Sequence, residues 1–541
     1  MTAIKRTASI IFILLYLPVL VSIIFLGNKA NYPDYYKLDT IVPNWVLFIA
    51  ALLLAIVFFF LVKTIDRISL TPKTNLIFNL TLALAFVVIT VINIKLCKSL
   101  VFVTGWADPV NAQYSGLRIN EGISINEGTW YYLLCSNNVP IAYICSLILR
   151  LMRFFPNFPY QSDFFIIEVN CVIISLAGFF TVLTAKKLSR KLGPAVVAFL
   201  IYAGLICVSP WKLFFYTDTA GMLLPIITFY VYLAAKGKDG LFKYVFTAIY
   251  AFTGILAGMI KPTAYTCLIA IVMVEMVEFV ARLIKKECRI LETAVLIASV
   301  IVAFLLINVG LKAHIYNVAG FTPDKDLEGT WTYYLNMGSN EEYMGTNNPV
   351  DSGLLVGEYS GRPGSERRAA EIESFMTRTK DRGFLGNLSF WNRKLTMTFN
   401  DGTFSWYKEG IAAFYAGEYE DISANPKKEL LRNIFWGDGE YYNYFETYAQ
   451  WLWIFVLIGM AGVGFVSFYA RNRQPFAFHL TVICIGVILF QMLFETRGRY
   501  LICSLPLLII AGVEGYRFYA TLKDECHIFR KQEFKNREEL E

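Results

Sequence analysis

The chain is poor in charge. Asp, Glu, Lys and Arg make up only 17% of its 541 residues, where a soluble domain carries about 25%. That argues against a cytosolic enzyme and against a disordered protein. Histidine is scarcer still. Of three, His479 lies in or beside an apolar run, His527 lies in a charged tail, and His314 closely follows an apolar run. A histidine-based metal site is not expected from this arrangement. The ten cysteines show no C-x-x-C spacing, and Cys171, Cys207, Cys267, Cys484 and Cys503 sit inside apolar runs. The longest polar segment, 312–446, holds no cysteine, so neither a disulfide framework nor a zinc site is visible. There is no internal repeat and no low-complexity stretch.

What the chain has instead is apolar length. Hydrophobic residues are 56% of it, and the mean hydropathy is +0.50. A bilayer core needs about 20 apolar residues per helix. Twelve runs qualify, at 9–27, 45–63, 77–97, 162–185, 193–209, 219–235, 243–260, 264–285, 291–311, 447–470, 476–495 and 499–519. The first has no convincing cleavage site and reads as a retained anchor. The expected fold is an all-α polytopic membrane protein of about 12 transmembrane helices.

The net charge of +7 lies mostly in short loops. It reads as a topology signal, not as a nucleic-acid patch, and no nucleic-acid partner is expected. With Lys5 and Arg6 in the cytoplasm, the same side receives Lys63, Arg67 and Lys73, then Lys186, Lys187, Arg190 and Lys191, then Lys236, Lys238 and Lys243. Arg282, Lys285, Lys286, Arg289, Arg471, Arg473 and the basic tail follow. Both termini are therefore expected in the cytoplasm of a cell-membrane protein. Residues 139–152 are apolar enough to pass as a span, but a span there would turn the 186–191 cluster outward. They are read as an amphipathic helix lying along the interface.

The expected organisation is an N-terminal membrane module, 1–311, with a first outer loop and interfacial helix at 98–161. An extracytoplasmic segment, 312–446, of α or α/β type follows. Residues 447–541 supply the last spans and the basic tail. The outer segment, roughly 135 residues, is long enough for some core of its own.

Charges at membrane depth are costly and are functional candidates by default. Asp108, in Gly105-Trp-Ala-Asp-Pro-Val-Asn, follows the third span. It equally suits a solvated turn cap. Asp218, in Tyr216-Thr-Asp-Thr, lies where a helix should begin, and a helix cap explains it as well as function does. Lys261, in Lys-Pro-Thr, is sandwiched between apolar runs, placed either to snorkel or to meet a phosphate. The turn Glu495-Thr-Arg-Gly-Arg-Tyr500 packs Glu495, Arg497 and Arg499 between two spans. Anchoring explains one arginine better than two. All four elements fall on one face of the expected topology. Guanidinium binds phosphate bidentately, lysine adds a point charge, and a carboxylate can take a hydroxyl proton.

These motifs, in this order, resemble the GT-C superfamily of integral-membrane glycosyltransferases. The similarity is to bacterial enzymes of the protein O-mannosyltransferase and aminoarabinose transferase type, and it covers nearly the full chain. Asn137-Asn138-Val-Pro140, Asn336-Met-Gly and Phe399-Asn-Asp-Gly-Thr-Phe also look similar to family patterns. The resemblance implies transfer of a sugar from a polyprenyl-phosphate donor to an acceptor hydroxyl outside the cytoplasm, with inversion. The acceptor would be a cell-wall polymer, a glycolipid or a protein. It implies Asp108 as general base, and Arg497 and Arg499 near the donor phosphate. Lys261 becomes a second phosphate contact, and Asp218 orients sugar, acceptor or Lys261. Glu495, Tyr500, Asn137 and Asn138 join the substrate-binding set. The first outer loop lacks an Asp-x-Asp or Glu-x-Asp pair. Only Asp108, with Asp218 or Glu121, offers oxygen ligands, so no cofactor is expected, a divalent ion being the alternative.

Two other readings stand beside this one. An envelope polysaccharide ligase or polymerase would rely on a His or Arg pair in a large loop, and His314 is the only histidine placed outside. A lipid-linked sugar transporter would show inverted repeats and charges in mid-span.

Overall fold

The computed structural model describes residues 2–27, 38–100, 108–127, 131–154, 162–287, 290–353, 357, 361–409, 425–469 and 474–520. Gly105 and Trp106, Pro156 and Pro159, Arg289, Arg471, Arg473, and the basic tail with His527 lie outside the described residues. Regular structure is helical throughout, with no strand among the described residues. Among its described residues the 312–446 segment is α, not α/β.

Helices follow from the apolar runs, because in lipid each backbone N–H and C=O must be satisfied within its own segment. Among the described residues, nine helices are long and apolar enough to cross a membrane: Ala3–Leu26, Asn44–Ile65, Pro72–Ser99, Phe164–Ser189, Thr217–Ala235, Gly240–Ile260, Ile290–Val318, Tyr442–Val466 and Gly498–Ala520. The three other apolar runs are helical too. Gly193–Cys207 and Ala477–Leu493 are shorter, and Tyr265–Ile284 carries Glu275, Glu278 and Arg282. Those charges are matched at once: Lys236 Nζ lies 2.5 Å from Glu275, and Arg282 Nη2 lies 2.8 Å from Glu278. The chain is a polytopic α-helical membrane protein.

The Tyr442–Val466 and Gly498–Ala520 helices are the most buried of the nine. Lipid tails are as apolar as leucine, so helix pairs in a bilayer gain from close contact of small residues. Here Gly459 and Gly462 face Gly512 and Gly515. A Cβ on Gly515 would overlap the Gly459 carbonyl oxygen. The first helix packs alongside, and its Tyr16 hydroxyl donates to the Leu457 carbonyl at 2.8 Å.

Val139–Met152 is a 14-residue helix, about 21 Å long and short of the roughly 30 Å hydrocarbon core. It buries Ile141, Cys145 and Leu149 and packs against the Asp108–Glu121 helix. The ninth predicted run does not stop at 311; its helix continues to Val318. Beyond it come helices Trp331–Gly338, Pro349–Gly353, Gly364–Phe399 and Pro426–Phe435. Polar links tie this segment together. The fully buried Asp351 carboxylate accepts from Asn336, Asn340, Asn348 and Arg378.

Candidate functional site

Four separate sequence motifs meet at one end of the bundle. Asp108 opens the Asp108–Glu121 helix, where a carboxylate suits the dipole. Asp218 is the second residue of the short helix Thr217–Ala220. Lys261 ends the Gly240–Ile260 helix, because Pro262 starts a tight turn instead of continuing it. Arg497 and Arg499 flank Gly498, the first residue of the 3-10 turn Gly498–Ser504 that begins the last span.

Arg499 is the hub. Its Nη2 donates to Asp108 Oδ2 at 2.7 Å, and its Nη1 to Glu409 Oε2 at 3.0 Å. Its Nε lies 3.8 Å from Asp218 Oδ2. Asp218 Oδ1 is paired with Lys261 Nζ. The Lys261 ammonium sits over the Tyr500 ring, 4.4 Å from its centroid, an arrangement that stabilises a desolvated cation. Arg497 Nη1 donates to Glu409 Oε1 at 2.9 Å, and its Nε lies 3.3 Å from Glu495 Oε1. Asp218, Lys261, Glu409, Glu495 and Arg499 are all buried. Asp108 keeps 30% side-chain exposure and is the most accessible carboxylate of the group.

A hydroxyl chain extends from Asp108. Tyr131 donates to Asp108 Oδ1 at 3.2 Å and lies 2.9 Å from the Tyr216 hydroxyl. Asn138 Nδ2 donates to Tyr131 at 2.9 Å. Asn137 reaches Asn138 Oδ1 at 3.2 Å and stands one step further from the charges. The sequence-predicted residues thus come together, with Asn137 at the edge. His314 is elsewhere: it is exposed, with its ring 6.2 Å from that of Tyr143.

Glu409 was not anticipated from the sequence. It lies in a polar segment where carboxylates are common, and no apolar run sets it apart. The nearest signal was the Phe399-Asn-Asp-Gly-Thr-Phe motif, which builds the turn just before it. Asp401 accepts from the Thr403 N–H at 2.7 Å and the Ser405 N–H at 2.6 Å. That turn holds Phe404 and Ser405 at φ of 58° and 65°, a left-handed region that costs side-chain-bearing residues energy. Trp211 Nε1 seats the turn through the Thr403 carbonyl at 2.8 Å, and Trp453 Nε1 through the Phe399 carbonyl at 2.7 Å. The turn then presses on Gly498, where a Cβ would stand 2.7 Å from Ser405 Oγ. The Asn336-Met-Gly motif braces the arginine turn from the other side. Lys394 Nζ bonds the Gly338 and Phe494 carbonyls, both at 2.6 Å.

Burial alone would raise the Asp108 carboxyl. The Arg499 guanidinium, then Arg497 and the Tyr131 hydroxyl, outweigh it and hold Asp108 below its ordinary value. Glu409 behaves alike: burial pushes it up, and Arg499 and Arg497 pull it further down. Burial, with Arg497 close by, lowers the Lys408 ammonium to about 8. The site is therefore a compact charge lattice of Asp108, Asp218, Glu409 and Glu495 against Lys261, Lys408, Arg497 and Arg499. Two buried atoms 3.8 Å apart, Asp218 Oδ2 and Arg499 Nε, find no hydrogen-bond partner among the described residues. Among the described residues, no group of three or more His, Cys, Asp or Glu is placed to hold a metal ion.

An apolar cleft of about 420 Å³ opens elsewhere, lined by Val208, Ile434, Phe435, Tyr441, Tyr444, Phe445 and Tyr448. Aromatic rings connect it to the hub. Trp406 Nε1 donates to the Phe435 carbonyl at 2.7 Å, Trp406 meets Trp211, Trp211 meets Phe214, and Phe214 lies 6.0 Å from the Arg499 guanidinium carbon.

No curated protein and no solved structure matches the chain. One family does, over residues 1–516, and its description is that of a conserved hypothetical integral membrane protein. A match over nearly the whole length, on a chain built of apolar helices, places this protein in the conserved hypothetical integral membrane protein family.

Proposed function

We propose that the protein is a glycosyltransferase of the GT-C type. In this reading it moves a sugar from a polyprenyl-phosphate donor to an acceptor hydroxyl at the extracytoplasmic face of the cell membrane. One observation carries the reading: a partly exposed carboxylate, Asp108, shares Arg499 with a second arginine's partner at the ends of apolar spans. An amphiphile with a phosphate head and a reacting hydroxyl suits such a place.

In the proposed step Asp108 takes the proton of the acceptor hydroxyl. The acceptor oxygen forms a bond to the anomeric carbon while the carbon–oxygen bond to phosphate breaks on the opposite side. The bonding pair stays on the phosphate oxygen, where Arg497, Arg499 and Lys261 meet the developing charge. Asp218 holds Lys261 in place. Asn138, through Tyr131, holds Asp108, and the Tyr500 ring backs Lys261 and Arg499. The aromatic-lined cleft offers apolar surface for the isoprenoid chain. The reaction is read as metal-independent, because Asp108, Asp218, Glu409 and Glu495 are each already bound to a cationic side chain. Twelve spans with both termini in the cytoplasm complete the reading. Its support is the run of basic loops that this orientation places inside. The acceptor is a cell-wall polymer, a glycolipid or a protein.

The test uses full-length protein in nanodiscs with a panel of undecaprenyl-phosphate sugars and a membrane extract. Release of undecaprenyl phosphate is followed with and without EDTA, beside Asp108→Asn. Sugar-specific release that survives EDTA and disappears in Asp108→Asn is expected. No turnover with any donor, or full activity in Asp108→Asn, overturns the proposal.

A further inference from the structure

Glu409 has no part in the transfer step, yet it occupies the centre of the cationic cluster. Its two oxygens go to different arginines, Oε1 to Arg497 Nη1 at 2.9 Å and Oε2 to Arg499 Nη1 at 3.0 Å. One anionic group thus spans the gap between two guanidiniums, as two oxygens of a bound phosphate would.

Charge balance makes that occupancy consequential. The carboxylates Asp108, Asp218, Glu409 and Glu495 already match Lys261, Lys408, Arg497 and Arg499. A phosphate arriving while all of them stay would leave the buried site with an uncompensated anion, which is costly. One carboxylate has to give way. Asp218 is wholly buried and paired with Lys261. The Glu495 carboxylate meets only Arg497 among the described residues, at 3.3 Å, and so does not occupy the gap between the two guanidiniums. Asp108 is the proposed base. Glu409 remains, on two methylenes that let its carboxylate swing without moving the chain. It stands four residues beyond Ser405, in the turn where backbone strain is stored.

A second asymmetry concerns the product. A sugar-linked polyprenyl phosphate is a diester with one negative charge. The released monoester carries roughly −1.5 to −2 near neutral pH, like other phosphomonoesters. Two arginines that hold the donor would hold the product harder, and turnover would stall without a competing anion.

We propose that Glu409 is an exchangeable counter-anion: it clasps Arg497 and Arg499 in the resting site, yields them to the donor phosphate, and returns to expel the polyprenyl monophosphate. This rests on the glycosyl-transfer reading. Glu409 is a positioning and release residue, and its removal strengthens product binding instead of weakening it.

The test measures binding of undecaprenyl phosphate, and of undecaprenol as the phosphate-free control, to the full-length protein in nanodiscs. The proteins compared are wild type, Glu409→Ala, Glu409→Gln and Arg499→Ala. Glu409→Gln keeps side-chain volume and carries the test if the alanine variant does not fold. The expected result is undecaprenyl phosphate bound about tenfold tighter by the Glu409 variants, equivalent to the loss of one competing contact. Undecaprenol binding stays unchanged and Arg499→Ala loses the phosphate-dependent part. Glu409 variants that bind undecaprenyl phosphate equally or more weakly, while Arg499→Ala still loses it, overturn the exchange and leave the lipid-phosphate site standing. Absence of phosphate-dependent binding in every protein overturns both.

Discussion

Asp108 and Arg499 are 391 residues apart in the chain and meet at 2.7 Å. The contact joins the first helix after the third span to the turn that opens the last. It also sets the strength of the proposed base, because the guanidinium that lowers Asp108 is one that a phosphate would claim. When Arg499 turns to a phosphate, Asp108 loses part of that stabilisation and becomes a better proton acceptor. Asp108→Asn keeps the shape and removes the base. Turnover in a single-turnover assay is expected to fall by about 10²- to 10⁴-fold, while the variant still binds undecaprenyl phosphate. Undiminished single-turnover rates would rule Asp108 out as the base.

The Asp218–Lys261 pair separates structure from chemistry. Both groups are buried, so Asp218→Asn or Lys261→Met leaves a partner charge uncompensated, at about 3–5 kcal/mol. Each single variant is expected to melt well below wild type in detergent. The double variant Asp218→Leu with Lys261→Met is expected to recover most of the melting temperature and none of the proposed transferase activity. A double variant that melts no higher than the singles would show that the pair does not act as a unit.

Gly498 is required by contact, not by its own backbone angle. Alanine there pushes on Ser405 Oγ, 2.7 Å from the new carbon, and on the Phe404 carbonyl carbon at 3.3 Å. Overpacking of this kind costs about 1–3 kcal/mol. The displaced turn carries Glu409 with it, so Gly498→Ala is expected to alter phosphate binding more than it alters stability. A parallel measurement of melting temperature and undecaprenyl phosphate affinity decides this. An unchanged affinity would mean that the turn does not aim Glu409.

The pH dependence has two limbs. Asp108 and Glu409 sit below their unfolded values, which are about 3.9 and 4.3. Their contribution to stability is complete above roughly pH 5 and is lost as pH falls through those values towards the lower folded ones. The gap in melting temperature between wild type and Glu409→Gln should therefore stay constant from neutral to mildly acidic pH and close below about pH 4. The other limb belongs to Lys408, which titrates at about 8. Undecaprenyl phosphate affinity is expected to fall as pH rises through that value, and Lys408→Met should remove the slope. A slope that persists in Lys408→Met would assign it to another group.

Much of the site was legible because charge is conspicuous beside apolar sequence. Asp108, Asp218, Lys261, Arg497 and Arg499 each stand next to a long hydrophobic run, where a charge demands a reason. Glu409 had no such contrast, being one carboxylate in a mixed-charge segment. The apolar runs gave the helices, but not which of them lie at the centre. That depends on backbone contact at Gly459 and Gly515, which hydropathy does not register. The glycine pairs at Gly459–Gly462 and Gly512–Gly515 were the available sign. Nor did hydropathy say that the 312–446 segment would be tied by a buried Asp351 as well as by its apolar packing.

The reach of the Asp108–Arg499 contact has a consequence for biosynthesis. A chain emerging from the ribosome places Asp108, then Asp218 and Lys261, at the membrane long before residue 499 is made. Asp218 and Lys261 can neutralise each other early. Asp108 waits for its guanidinium until the last span is inserted. Any chain released short of that point lacks Arg497 and Arg499 altogether, so a truncated product never assembles the Arg499 hub and leaves Asp108 without its guanidinium.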